Sequence, residues 1–215
     1  MTLQKHIPLE SFGQYRKDIF TRIDFPFIWG NTVLDVGCWP GIDSRVLSNF
    51  YDLNVTSIDV YKHWDIDKNG IPFTLSSVYN IPFADWYFDY VFAHDILHHI
   101  DEATQSIANH KAWLLEMYRV LKPWWKLILI EANRYNLLQI NMVWIYGHQH
   151  FTYKYFQKLI NTTFSKDIIQ HKMIEVHSYP LLSLWFWYLF EKIYTSIVPK
   201  RFWSYNVVFI SKPQQ

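Results

Sequence analysis

Short apolar runs bounded by polar clusters alternate along this chain with stretches whose apolar residues return every three or four positions. Such alternation predicts strands interleaved with helices. Val33, Leu34 and Val36 read as a buried parallel strand, followed by a turn carrying Gly37 and Gly41 and by a helix over residues 43–50. Residues 54–60 form the second predicted strand, a third follows from Ile71, and residues 90–93 form the fourth. An N-terminal helix is expected over 9–22, with Phe12, Tyr15, Ile19 and Phe20 as its apolar stripe. Asp101 is the expected N-cap of a helix opened by residues 104–108 and running to Leu121, ahead of a fifth strand at 127–131.

The pattern changes after Gln139. There a segment with His148, Gln149, His150, Phe151, Thr152 and Tyr153 leads into a helix through Ile160, for which Thr152 is a candidate N-cap. The last strands are expected at 167–177 and 205–211, the second closing the sheet antiparallel, with an aromatic helix at 182–197 between them. A strand running into a glycine-bearing turn and then a helix is where α/β sheets bind ligands, because free N–H groups at the helix start face the carboxyl end of the strand.

Composition narrows the classes. A chain of 215 residues with 50% hydrophobic content suits one α/β domain and is short for two. Net charge of +1, without a run of lysines or arginines, argues against nucleic acid as partner. Cys38 is the single cysteine, so no internal disulfide framework exists, and the polar N-terminus lacks a signal-peptide core; the cytoplasm is the expected location. The apolar tract 180–190 is broken by Ser183 and followed by Glu191 and Lys192, short of the roughly 20 residues that cross a bilayer. Packing in the core or a lid is the expected role of 182–197, with peripheral contact to a membrane surface as the alternative.

The string from Val33 to Gly41, VLDVGCWPG, resembles motif I of the class I S-adenosylmethionine-dependent methyltransferases, an apolar run followed by D-x-G-x-G-x-G. Asp35, Gly37 and Gly41 match, whereas Trp39 stands at the middle glycine. Ile81-Pro82-Phe83 and Phe88-Asp89-Tyr90-Val91 are similar to the family's third-to-fourth strand passage, the stretch through His98-His99-Ile100 resembles its L-H-H-I ending, and Glu131 to Asn136 looks like a string of the type 11 small-molecule group. The resemblance implies a Rossmann-like seven-stranded fold, mostly parallel with a last antiparallel strand and helices on both faces. It divides the single domain into a cap at 1–28, a cofactor-binding half at 29–135 and an acceptor-side lid with closing strands at 136–215.

The same resemblance implies S-adenosylmethionine as cofactor, held by Asp35, Gly37, Cys38, Trp39, Gly41, Asp59, Val60, Ser77, Val78 and His94. His98, His148 and His150 are the candidate bases, and Asn133, Arg134 and Tyr153 the candidate acceptor contacts. No metal is expected, since His94, His98 and His99 lack a completing ligand set. Two other readings stay open: a noncatalytic scaffold of the same fold that binds a protein or membrane, and an NAD-dependent oxidoreductase, although the glycine spacing fits the dinucleotide fingerprint less well.

Tryptophan and glycine usage is inverted. The chain has 11 tryptophans and 6 glycines, where average usage of about 7% gives roughly 15 glycines. Trp39, Trp86, Trp124 and Trp125 fall in turns where glycine is the expected residue. The reading is that these codons are UGA, decoded as glycine in the source organism and rendered here as tryptophan. Genuine tryptophan in a drifted protein is the alternative, and Trp113, Trp185 and Trp187 are candidates for authentic core residues.

Overall fold

Seven strands form one sheet in the order β3-β2-β1-β4-β5-β7-β6. They are β1 (Thr32–Val36), β2 (Asn54–Asp59), β3 (Phe73–Leu75), β4 (Phe88–His94), β5 (Leu121–Ala132), β6 (Ile168–Ile174) and β7 (Tyr205–Ser211). The structure is a computed structural model that describes residues 9–101, 104, 106–138, 150–165, 167–180 and 182–214. Strands β1 to β5 run parallel, and β7 pairs antiparallel with both β5 and β6. The expected mostly parallel sheet with an antiparallel last strand is what forms.

Every residue of β4 is buried, as a central parallel strand covered on both faces requires. On one face Leu34, Val91, Leu127 and Leu129 pack under α3 (Ile107–Val120) and α4 (Tyr153–Thr163), with Trp113 and Phe156 fully buried between them. On the other, Val33, Phe92, Ile128 and Val207 pack under α1 (Gly13–Ile23) and α2 (Ile42–Tyr51), which contribute Ile19, Phe20, Val46 and Leu47. Thr152 caps α4 through its hydroxyl, which accepts the Tyr155 N–H, as expected. A fifth helix, α5 (Leu184–Ile197), is capped in the same way by Ser183.

Three local expectations are corrected. Helix α3 begins at Ile107 with Ser106 at its N-cap, and Asp101 instead accepts the Ser106 N–H from the preceding loop. The three histidines, which a helical metal face would need on one helix, are divided between elements, with His94 ending β4 and His98 and His99 in a 3₁₀ turn. Strand β5 starts at Leu121, six residues early, because Leu121 pairs with Phe88 and Lys126 with Tyr90, which leaves residues 122–125 bulged opposite Asp89 alone.

That bulge is stapled from the far end of the chain. The Trp124 N–H donates to the Lys212 carbonyl at 2.7 Å, and the Lys212 N–H donates to the Trp125 carbonyl at 3.1 Å. The Lys212 ammonium donates to the carbonyls of Tyr118 and Leu121 at the end of α3. Burial pulls its pKa down to about 8.

Seven residues other than glycine have positive φ among those described: Asp24, Asp52, Asp95, Asp101, Trp39, Trp86 and Trp124. Aspartate tolerates the left-handed region because its short carboxylate bonds locally, whereas a bulky side chain there is an outlier. The three tryptophans belong to the four marked from the sequence. Trp125 is the exception and does not share this geometry. It is half-buried against both apolar clusters, with its ring edge-on to Tyr90 at 5.3 Å. Relieving a left-handed side chain is worth roughly 1–2 kcal/mol. Trp124→Gly is therefore expected to raise the melting temperature by about 2–4 °C for each kcal/mol relieved, and Trp125→Gly to lower it, as read by calorimetry on both variants.

Candidate active site

The carboxyl ends of β1, β2, β4 and β5 meet at one edge of the sheet, and nearly every residue marked from the sequence lies along it. Asp35 sits on β1 with Gly37 to Gly41 just beyond; Asp59 and Val60 close β2; Ser77 and Val78 follow β3; His94 closes β4. Gly37 is obligatory for two reasons. Its φ is +73°, and a Cβ there would fall 2.4 Å from Cγ1 of Ile96. Gly41, with φ of +76°, opens α2 without a side-chain cap, so the first N–H groups of that helix face the loop.

Beneath the loop, the Ser44 hydroxyl donates to Asp35 and lies 2.9 Å from the Ser57 hydroxyl. Burial, reinforced by the nearby Asp43 carboxylate, pushes the Asp35 carboxyl up to about 7. At the rim, Asp59 accepts the Trp39 N–H at 2.9 Å and the Tyr61 N–H at 3.0 Å. The Trp39 indole stands edge-on to His63, with ring centroids 5.5 Å apart. Val60 is exposed and Val78 buried. The exposed Ser77 hydroxyl accepts the Tyr79 N–H, and the Cys38 thiol is buried, which raises its pKa.

A buried polar network, which sequence reasoning largely missed, ties the helices to this edge. His94 Nδ1 lies 3.0 Å from Asp43 of α2, and Arg16 of α1 approaches both His94 Nε2, at 2.9 Å, and Asp43, at 3.4 Å. Burial alone would raise the Asp43 carboxyl, but Arg16 and His94 outweigh it and hold it below its ordinary range. Asp95 accepts the Ala132 N–H at 2.9 Å. Burial is again outweighed there, by His94, His98, Arg16 and His150, so its pKa is lowered.

Glu131, fully buried at the end of β5, accepts the Leu97 N–H at 2.7 Å with one oxygen and faces His98 Nδ1 at 2.7 Å with the other. A carboxylate only accepts, so this contact puts the proton on Nδ1 and leaves Nε2 as the basic nitrogen. The His150 ring lies 4.7 Å from His98, while His148 falls outside the described residues. Asp95, His98 and Glu131 could in principle share an ion, since their ligand atoms all lie within 4.8 Å of one another. The direct 2.7 Å contact between His98 and Glu131 is instead that of a hydrogen bond.

The acceptor candidates are placed less favourably. Asn133 is buried and its amide donates to the carbonyls of Arg201 and Trp203 at 2.9 Å. The Arg134 N–H donates to the Phe151 carbonyl, and the Tyr153 hydroxyl accepts from Gln157. In the sequence, Asp43 signalled itself only as an acid in the first turn of a helix, and Glu131 only as the start of a polar string.

Residues 34–129 match the family model of a methyltransferase domain. A demethylmenaquinone methyltransferase of Oceanobacillus iheyensis is 23% identical over 180 residues, covering 79% of this chain and 70% of that protein. Among solved structures, phosphoethanolamine N-methyltransferase 2 of Haemonchus contortus, in complex with S-adenosyl-L-methionine, superposes with a TM-score of 0.61 at 17% identity over 94% of this chain. The chain spans 53% of that protein's length. A SAM-dependent methyltransferase of Archaeoglobus fulgidus gives 0.65 at 14% identity, with 93% of each chain covered. At these identities the superpositions establish the shared fold. The family match supports a methyltransferase domain over residues 34–129.

The elevated Asp35 pKa makes a pH prediction. An acid whose folded pKa lies above its unfolded value near 4 stabilises the fold fully below that value, and the contribution is lost as pH rises through about 7. The melting temperature of Asp35→Asn, relative to the unmutated chain, is therefore expected to climb between pH 5 and pH 8. A flat difference across that window would show that Asp35 is not the group responsible.

Proposed function

We propose that the chain transfers a methyl group from S-adenosylmethionine to a small-molecule or lipid-like acceptor, and that residues 39, 86 and 124 are glycine in the natural protein. The observation that carries this reading is the left-handed backbone of residue 39, at φ of +40°, midway between two glycines that are also left-handed. The loop around it fits a nucleoside cofactor: Gly37 keeps the turn narrow, the start of α2 is uncapped, and Asp59 stands at the rim. The indole of Trp39 does not fit, because it adds bulk beside Asp59 where backbone alone would pass. With glycine there, Asp59 would hold the ribose and the loop would lie against the nucleoside, with Asp35 bracing it through Ser44.

The cofactor brings a methyl group already activated on a sulfonium. What remains for the protein is to align an acceptor and, where the accepting atom carries a proton, to remove it. His98 suits that task through Nε2, since Glu131 fixes its tautomer and would stabilise the imidazolium once the proton has moved. His150, beside it, is the second candidate. The demethylmenaquinone methyltransferase of O. iheyensis supports a lipid-like acceptor.

Three measurements test this. Isothermal calorimetry should show Trp39→Gly binding S-adenosylmethionine more tightly than the chain with Trp39; equal affinity rejects the obstruction. The intact mass of protein purified from the native host should match glycine at 39, 86 and 124, and a mass matching eleven tryptophans defeats the decoding argument. In the glycine-restored enzyme, with an acceptor found by labelled-methyl screening, His98→Ala should lower kcat by roughly 10²–10⁴. Glu131→Gln should shift the pH profile of kcat rather than merely scale it.

A further inference from the structure

Helix α5 is inside out. Its one carboxylate, Glu191, is buried and held by Arg22 of α1 at 2.8 Å through Nε. Tyr188 on the same side reaches the buried carboxylate of Asp18 at 3.1 Å. The outward side carries Trp185, Leu189, Ile193 and Ile197, spaced four apart so that they form one stripe, and they are 73%, 43%, 53% and 74% exposed. A soluble helix ordinarily shows the opposite polarity, with apolar residues toward the core and charges toward water.

The charges that do face out are basic. Lys192 lies on α5 itself, and Lys200 and Arg201 follow its end, all three exposed. The Lys200 ammonium sits 5.6 Å from the Trp203 ring and the Arg201 guanidinium 4.9 Å from the Phe202 ring. No carboxylate of α5 is exposed to oppose them. Exposed aromatics and aliphatics flanked by lysine and arginine complement an anionic bilayer: the apolar stripe enters the acyl boundary while the cations meet the headgroups. The helix is short and no described helix is long and apolar enough to cross a membrane, so contact would be parallel to the surface.

Position adds a second argument. The Asn136 amide donates to the Phe202 carbonyl at 3.0 Å and the Asn133 amide to that of Arg201, which ties the turn after β5 to the segment after α5. Leu137 and Leu138, on that turn, are also exposed. The apolar surface thus reaches the edge of the sheet where Glu131 and His98 lie.

We propose that the outward face of α5, with Lys192, Lys200 and Arg201, docks the chain on an anionic lipid surface. Only its consequence, access to a bilayer-dissolved acceptor, rests on the methyl-transfer reading. Sedimentation of the full chain with vesicles is the test, using phosphatidylcholine alone and an equal mixture with phosphatidylglycerol, without any methyl donor.

The chain should pellet with the mixed vesicles and much less with phosphatidylcholine alone. Lys200→Gln and Arg201→Gln should each lower partitioning about fivefold, the equivalent of about 1 kcal/mol per basic residue at the surface. A Trp185→Ser, Ile193→Ser, Ile197→Ser variant should stay in the supernatant while keeping its circular dichroism and melting temperature, since all three side chains are exposed. Retention of the unmutated chain in the supernatant with both vesicle types overturns the proposal. So does unchanged binding by the serine variant, or size exclusion showing a dimer that this variant dissolves, which would assign the face to a second copy of the chain.

Discussion

The structure depends on a five-residue loop that must turn left-handed at Gly37, again at residue 39 and again at Gly41 before α2 can begin. The constraint is steric, because Ile96 from the neighbouring strand end leaves no room for a Cβ at Gly37. Everything at the functional edge is registered on this path. Asp59 reaches the backbone N–H of residue 39, Asp35 reaches the first turn of α2 through Ser44, and α2 in turn presents Asp43 to His94. A side chain forced into that loop strains the point from which the site is laid out.

Around the loop, burial and charge are balanced by pairing. Removing a carboxylate from water costs several kcal/mol unless partners replace the lost hydration. Asp43 has Arg16 and His94, Asp95 has the Ala132 N–H and neighbouring cations, and Glu131 divides its oxygens between Leu97 and His98. These pairings join α1, α2, β4 and β5, so the N-terminal helix is held to the site by ion pairs as well as by Tyr15, Ile19 and Phe20. Geometry, above all the Glu131 contact, defines the orientation of the His98 ring.

Much of this was legible in the chain. The order of strands and helices followed from apolar periodicity, and the strand-turn-helix at Val33–Gly41 pointed to the sheet edge that carries the candidate site, because glycine spacing and burial agree there. Trp39, Trp86 and Trp124, marked in the sequence as turn positions, are all left-handed, since a turn demands backbone freedom whatever letter is written. Trp125 was misjudged because adjacency to a turn does not decide φ, and its ring proved useful to both cores. The early start of β5 was invisible, as it depends on pairing with Phe88 and Lys212 far away in sequence. Glu131 and Arg16 were hidden for the same reason: their partners are set by topology, not by spacing. The outward stripe of α5 was read as packing because periodicity reports amphipathicity without saying which side meets water.

The staple at Lys212 carries a consequence for how the molecule is assembled. The carboxyl end of α3 has no glycine or asparagine to terminate it, and the ammonium of Lys212 serves its last carbonyls instead. That closure spans about ninety residues of chain, so its loop entropy must be overcome before any reward arrives. During synthesis the sheet would therefore wait with an open seam between α3 and β5 until β7 emerges and zips in antiparallel. In that interval β5 would offer an unpaired edge, the kind of surface open to misassembly and to capture by other chains.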